Sequence, residues 1–228
     1  VLRALGCLVL SAAHAAQVGG ELPMETWRTV KDSVQKADGA CGARKFRLAL
    51  ARLDSVLLPQ GIGLAAPGDP ELQDLLTAAV QAWREATGDD VPFRVVPPAK
   101  AEMIVKRVES LPARGPDALG LIDLSRNMRW NGSMHQASAS GTISIVWSHD
   151  GERLTRHETF HVLMHELGHL VGLDDTPTSD RLMGPMRRGS PMAGPSVQEA
   201  TAVMRLRENL RARTVKVREY LKQDPGVP

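Results

Sequence analysis

With 43% hydrophobic residues in 228, the chain can bury the core of one domain with an extension or a small helical appendage, which excludes wholesale disorder. Its formal charge of +2 supplies no strong field toward nucleic acid or a membrane surface. An aromatic content of 4% also argues against nucleic-acid binding by base stacking.

The chain opens VLRALGCLVLSAAHAAQ. Arg3 precedes an apolar run from Ala4 to about Ala13, and Ala13-His14-Ala15 has the form of a signal-peptidase site. Residues 1–15 are therefore predicted to be a secretory signal and the mature protein to be extracellular; the alternative is a buried N-terminal helix. The run falls short of the roughly 20 apolar residues that span a bilayer, and no second stretch of that length follows, so no membrane insertion is expected. Cys7 lies within the signal, leaving Cys41 as the single cysteine of the mature chain and excluding an internal disulfide.

Glu25 to Lys36 suits a helix, and Lys45 to Leu58 suits a helix or a strand. Glycine and proline between Pro59 and Pro70 predict a loop and a boundary. The boundary separates residues 16–68, an N-terminal extension or propeptide-like segment, from the domain at 69–228. Leu72, Leu75, Leu76, Ala79, Val80 and Trp83 recur at helical spacing, and Gly88 ends the run. Phe93–Val96, Glu102–Val108, Leu119–Leu124 and Thr142–Trp147 are rich in strand formers, with Ser125–Gly141 a loop or hairpin between the last two. Thr155 and Glu158 have capping-box spacing and open a helix that runs to Val171 and stops at Gly172. Ser196 and Glu199 repeat the box and open a last helix to about Gln223. Its arginines and lysines, Arg205, Arg207, Arg211, Arg213, Lys216, Arg218 and Lys222, form a basic face expected to be solvated, with an anionic cell-surface polymer as the weaker alternative. The order of elements indicates an α+β fold.

The stretch HETFHVLMHELGHLVGLDD contains the pattern HExxH twice, at His157–His161 and at His165–His169. Histidines four apart on a helix share a face, so two imidazole nitrogens can reach one ion at about 2.0–2.1 Å. The glutamate after the first histidine projects about 100° round the helix, where it can take a proton from an activated water without binding the metal. Only the second copy has a continuation that supplies a third ligand: Gly172 can turn the chain sharply and bring Asp175 back to the ion. In the first copy, Met164 and Leu167 stand at the corresponding positions, and Glu158 already serves the capping box. His165, His169 and Asp175 are thus the candidate metal ligands and Glu166 the candidate general base. His161 is expected to be a supporting, partly buried histidine.

HELGHLVGLDD followed by Leu182-Met183-Gly184-Pro185-Met186 resembles the metzincin zinc proteases, specifically their matrixin-like branch, which carries HExxHxxGxxH and then a methionine in a tight turn under the metal. Here aspartate replaces the third histidine, the form seen in snapalysin-type secreted proteases. The resemblance spans roughly residues 70–206. It implies a small mixed β-sheet, a long zinc-binding helix, a Met-turn formed by Met183, and a C-terminal helix. It further implies one catalytic Zn²⁺ held by His165, His169 and Asp175, with Glu166 as general base in the hydrolysis of a protein or peptide substrate. The expected function is a secreted zinc endopeptidase with no nucleic-acid partner; its oligomeric state is left open, a monomer being favoured. A catalytically silent zinc-bearing peptide-binding protein and a zinc hydrolase of a non-protein amide are the alternatives.

Cys41 faintly resembles the propeptide cysteine that blocks the zinc in matrixins, but the PRCGxPD surroundings are absent and an inert buried thiol is the other reading. Arg187 and Arg188 follow the Met-turn, where the family builds a wall of its specificity pocket; they would favour polar or acidic substrate side chains or belong to a solvated loop. His135, His149 and Asp150 have no ligand spacing, and a structural Ca²⁺ or second Zn²⁺ is left open.

Overall fold

Helical spacing of small and branched apolar residues sets up the first two elements. α1 (Arg28–Gly42) buries Val30, Val34, Ala37 and Cys41, and α2 (Phe46–Leu57) buries Phe46, Ala49, Leu53 and Val56. The computed structural model describes residues 20–111, 118–130 and 135–223; the expected signal over residues 1–15, with Cys7, lies outside them.

The stretch expected to be a loop contains a strand, β1 (Ile62–Ala65), buried at every position. It pairs in parallel on both sides, with β2 (Phe93–Val95) and β3 (Met103–Val108). A parallel strand covered on both faces has no polar alternation to mark it, and here glycine and proline flank only four residues. The sheet therefore begins on the N-terminal side of the boundary expected at residue 68. β4 (Gly120–Trp130) and β5 (His135–Val146) form an antiparallel hairpin, paired from Gly120 with Ile145 to Trp130 with His135, so most of the expected loop or hairpin at 125–141 is strand. The strand order is β2-β1-β3-β5-β4, with β4 the antiparallel edge. A two-residue pair, β6 (Ser148–His149) and β7 (Glu152–Arg153), leads into the next helix.

α3 (Pro70–Thr87) is capped by Asp69, whose side chain accepts from the Leu72 N–H at 2.9 Å, and ends at Gly88 in the left-handed conformation. Its fully buried Trp83 donates an indole hydrogen bond to the Met164 carbonyl at 3.1 Å and so fixes α3 against α4 (Arg156–Leu170). The expected capping box of Thr155 and Glu158 opens α4, and the second, of Ser196 and Glu199, opens α5 (Val197–Gln223). Among the described residues the fold is thus five α-helices with a mixed five-stranded sheet, in keeping with an α+β class.

Two apolar cores result. One lies between the sheet, α3 and α4; the other joins α1 and α2 to Leu206, Leu210 and Val217 of α5. The expectation of a solvated basic face on α5 holds for Arg205, Arg218 and Lys222, which are exposed, and needs correction at Arg207, Arg211 and Arg213. Arg207 and Arg213 are buried, Arg207 and Arg211 converge on Asp90, and Arg213 holds both oxygens of Asp38 at 2.6 Å. A buried guanidinium needs a carboxylate, and these partners lie more than a hundred residues away, where helix periodicity carries no trace of them. Cys41 packs in the second core; burial, and then Asp38, raise its pKa, so it is a thiol rather than a thiolate. Among the described residues no helix is long and apolar enough to cross a membrane.

Candidate metal centre

α4 is buried on nearly every side, and its two later histidines, with His161, line a cleft. The His165 and His169 rings lie 4.9 Å apart and nearly perpendicular, at 87°. Each is oriented from behind by a main-chain carbonyl: His165 Nδ1–H donates to Leu182 O and His169 Nδ1–H to Leu173 O, both at 2.9 Å. A carbonyl only accepts, so the proton sits on Nδ1 and the neutral ring keeps its lone pair on Nε2. Both Nε2 atoms face Oδ1 of Asp175, at 3.1 and 3.4 Å.

Asp175 reaches that place through the turn expected at Gly172. The helix ends at Val171, Gly172 adopts φ +101°, and the Leu173 N–H returns to Gly168 O at 2.9 Å. Among the described residues, His165, His169 and Asp175 are the single group of three such side chains whose ligand atoms lie within 4.8 Å of one another. Two nitrogen lone pairs and a carboxylate oxygen turned on one point repel unless a cation lies among them. A proton is one such cation. Burial opposes a charge on His165, but the hydrogen bond to Asp175, the nearby Glu166 and the Leu182 carbonyl outweigh it and raise its pKa. The same hydrogen bonds from His165, then His169, hold Asp175 far below the usual carboxylate range. A metal is the other. Ligand atoms about 2.0–2.1 Å from a tetrahedral ion stand about 3.3–3.4 Å apart, close to both separations found here. Two imidazoles and a carboxylate suit zinc and other first-row divalent ions alike, so the donor set by itself does not single out zinc.

Glu166 is buried beside the candidate ligands. It lines a cleft of about 530 Å³ with Leu119, with Gly120 and Leu121 of the edge strand, and with Met186 beyond the Met183 turn. A Cβ on Gly120 would overlap the Glu166 carboxylate and Val162, so this glycine lets edge strand and acid meet. Met183 lies beneath α4, where its sulfur occupies the space a Cβ on Gly168 would need. Its N–H donates to Glu199 at 2.8 Å, and its carbonyl accepts from Thr176 N–H at 2.9 Å, which ties the turn to both α5 and the ligand loop.

The first HExxH copy does other work. His157 is exposed on the opening turn. His161 is buried, and its Nδ1 accepts from the Met192 N–H at 2.9 Å; burial, then the neighbouring His165, lower its pKa to about 4, so the ring is neutral. Glu158 caps the helix and also accepts from Arg188 and from the Gly189 N–H. Arg188 does line the cleft, but it is committed to Glu158 and to the carbonyls of His149 and Arg153, while Arg187 is exposed. His149 meets Asp150 at 3.4 Å, and no third ligand joins them among the described residues.

Sequence reasoning missed Gly120, Gly168 and, behind His169, Trp27, whose ring centroid lies 5.1 Å from that imidazole. A glycine inside a helix costs about 1 kcal/mol against alanine, so Gly168 carried a signal of close approach; Trp27 carried none. No protein-family model and no curated protein matches the chain.

Proposed function

We propose that the chain is a secreted zinc endopeptidase of the matrixin-like metzincin type, with Zn²⁺ held by His165, His169 and Asp175. One observation carries the reading: both Nε2 lone pairs and the Asp175 carboxylate converge, with each Nδ1 proton already given to a carbonyl. The order of elements, the buried Met183 and the glutamate in the cleft support it further. Zinc bound there would lower the pKa of a water to near 7 and polarise a scissile carbonyl. The rest of the chemistry belongs to the chain. Glu166 takes the proton at its carboxylate and returns it to the leaving amine. β4 pairs with β5 alone among the described residues, so its other edge can receive an extended peptide as an added strand.

The test combines metal content with hydrolysis of an unstructured protein such as casein. The wild type should hold about one zinc per chain and lose activity on chelation. Glu166→Ala should keep the zinc and lose activity about 10²-fold or more, and His169→Ala should lose both. Zinc binding without cleavage of any peptide in the wild type would replace the protease with a silent binding protein. Cleavage confined to non-protein amides would point to a different hydrolase.

A further inference from the structure

The segment before α1 touches the metal loop at every residue from Glu25 to Trp27. The Trp27 N–H donates to Gly172 O at 2.6 Å, the Asp174 N–H donates to Glu25 O at 2.8 Å, and between them Thr26 and Leu173 form an antiparallel bridge. Three consecutive residues are thus clamped over the turn that carries Asp175. The middle residue of that turn, Leu173, supplies the carbonyl that fixes the His169 tautomer. The Trp27 ring lies on His169, tilted by 31°, and the Arg126 guanidinium sits 5.7 Å from the other partner, the indole.

We propose that Glu25–Trp27 is a permanent part of the metal centre, with Trp27 a positioning residue for His169, so that the working protein keeps α1 and α2 instead of shedding residues 16–68. The inference rests on the metal-centre reading but not on the reaction. A blocking segment would lie in the cleft, and among the described residues the cleft is lined from Ala118 onward. The N-terminal segment stands behind the ligands. It is also anchored: Val30 of α1 lies against the place a Cβ on Gly172 would take, next to Leu206, and α1 and α2 cover the apolar face of α5. Removing them would bare that face and free the ligand loop together. Groups that orient metal-bound histidines typically govern affinity 10–100-fold, and an aromatic face on one side with a fixed carbonyl on the other does so here.

The experiment uses the full chain with zinc alone, and with Co²⁺ as a spectroscopic stand-in. Trp27→Ala should weaken zinc affinity about 10–100-fold in a chelator competition, with altered Co²⁺ d–d bands. Trp27→Phe, which keeps a ring, should stay within about threefold of wild type and retain the spectrum. Should Trp27→Ala not fold, Trp27→Leu tests the same point, since it keeps apolar volume and loses the ring; it should fall on the weak side. Intact mass of the zinc-loaded, active species should show Trp27 retained. Wild-type affinity and an unchanged Co²⁺ spectrum in the folded Leu or Ala variant would overturn the proposal, as would an active species beginning after residue 58. A wild type that binds zinc and cleaves nothing would end the protease reading and leave this one intact.

Discussion

A single Cβ is the difference between alanine and glycine, and at Gly120 and Gly168 the candidate site fills the volume that Cβ would need. At Gly168 the occupant is the Met183 sulfur, at Gly120 the Glu166 carboxylate. Gly120→Ala should therefore displace the acid without touching the ligands: zinc content should stay at wild-type level while kcat falls about tenfold or more, because misplacement by about 1 Å can cost about 10²-fold. Equal loss of zinc and activity would show that the edge strand supports the ligands instead. The contrast explains what was legible. His165, His169 and Glu166 were readable because helix geometry fixes which residues share a face, and Asp175 because a glycine turn limits where the chain can return. Gly120 and Trp27 approach from elements 40 or more residues away, and local spacing holds no record of that.

At the scale of elements, the capping boxes were legible to the residue, while β1 was hidden by the glycines and prolines beside it. Arg188 shows how a cap can acquire a second role. It ties Glu158, at the start of α4, to the loop beyond the Met183 turn and so fixes one wall of the cleft. Burial works against charge on Glu158. Hydrogen bonds from Thr155 N–H, Arg188, Gly189 N–H and the Thr155 hydroxyl prevail and lower its pKa from an ordinary 4.5 to about 2. A depressed carboxylate contributes stability that is whole above its unfolded pKa and is lost as pH falls toward its folded one. Glu158→Gln should thus destabilise the chain at neutral pH and flatten the loss of stability between about pH 4.5 and 2. Denaturant unfolding at a series of pH values reads this directly, and an unchanged acid limb would remove Glu158 from the account.

Across the whole molecule, α5 is the element both cores share. Ala202 and Val203 enter the core between the sheet and α4, and Leu206, Leu210 and Val217 enter the one built by α1 and α2. Ion pairs follow the same division: Arg207 reaches Asp90 beyond α3, and Arg213 reaches Asp38 on α1. Leu206 stands at the seam, against the space beside Gly172, so the loop that carries the candidate ligand Asp175 lies where the cores join. Such an arrangement should unfold as one cooperative unit despite the two clusters. Leu206→Ala removes a fully buried side chain and should cost about 2–5 kcal/mol. The cost should appear as a single transition moved to lower denaturant, with the same midpoint for helix content and tryptophan fluorescence. On the proposed reading zinc would bind only the folded state and should raise that midpoint as a whole. Two separated transitions, with helix content lost first while Trp83 stays buried and zinc stays bound, would mean that α1 and α2 are a dispensable appendage. Such a result would also remove the physical basis for a permanent clamp at Trp27.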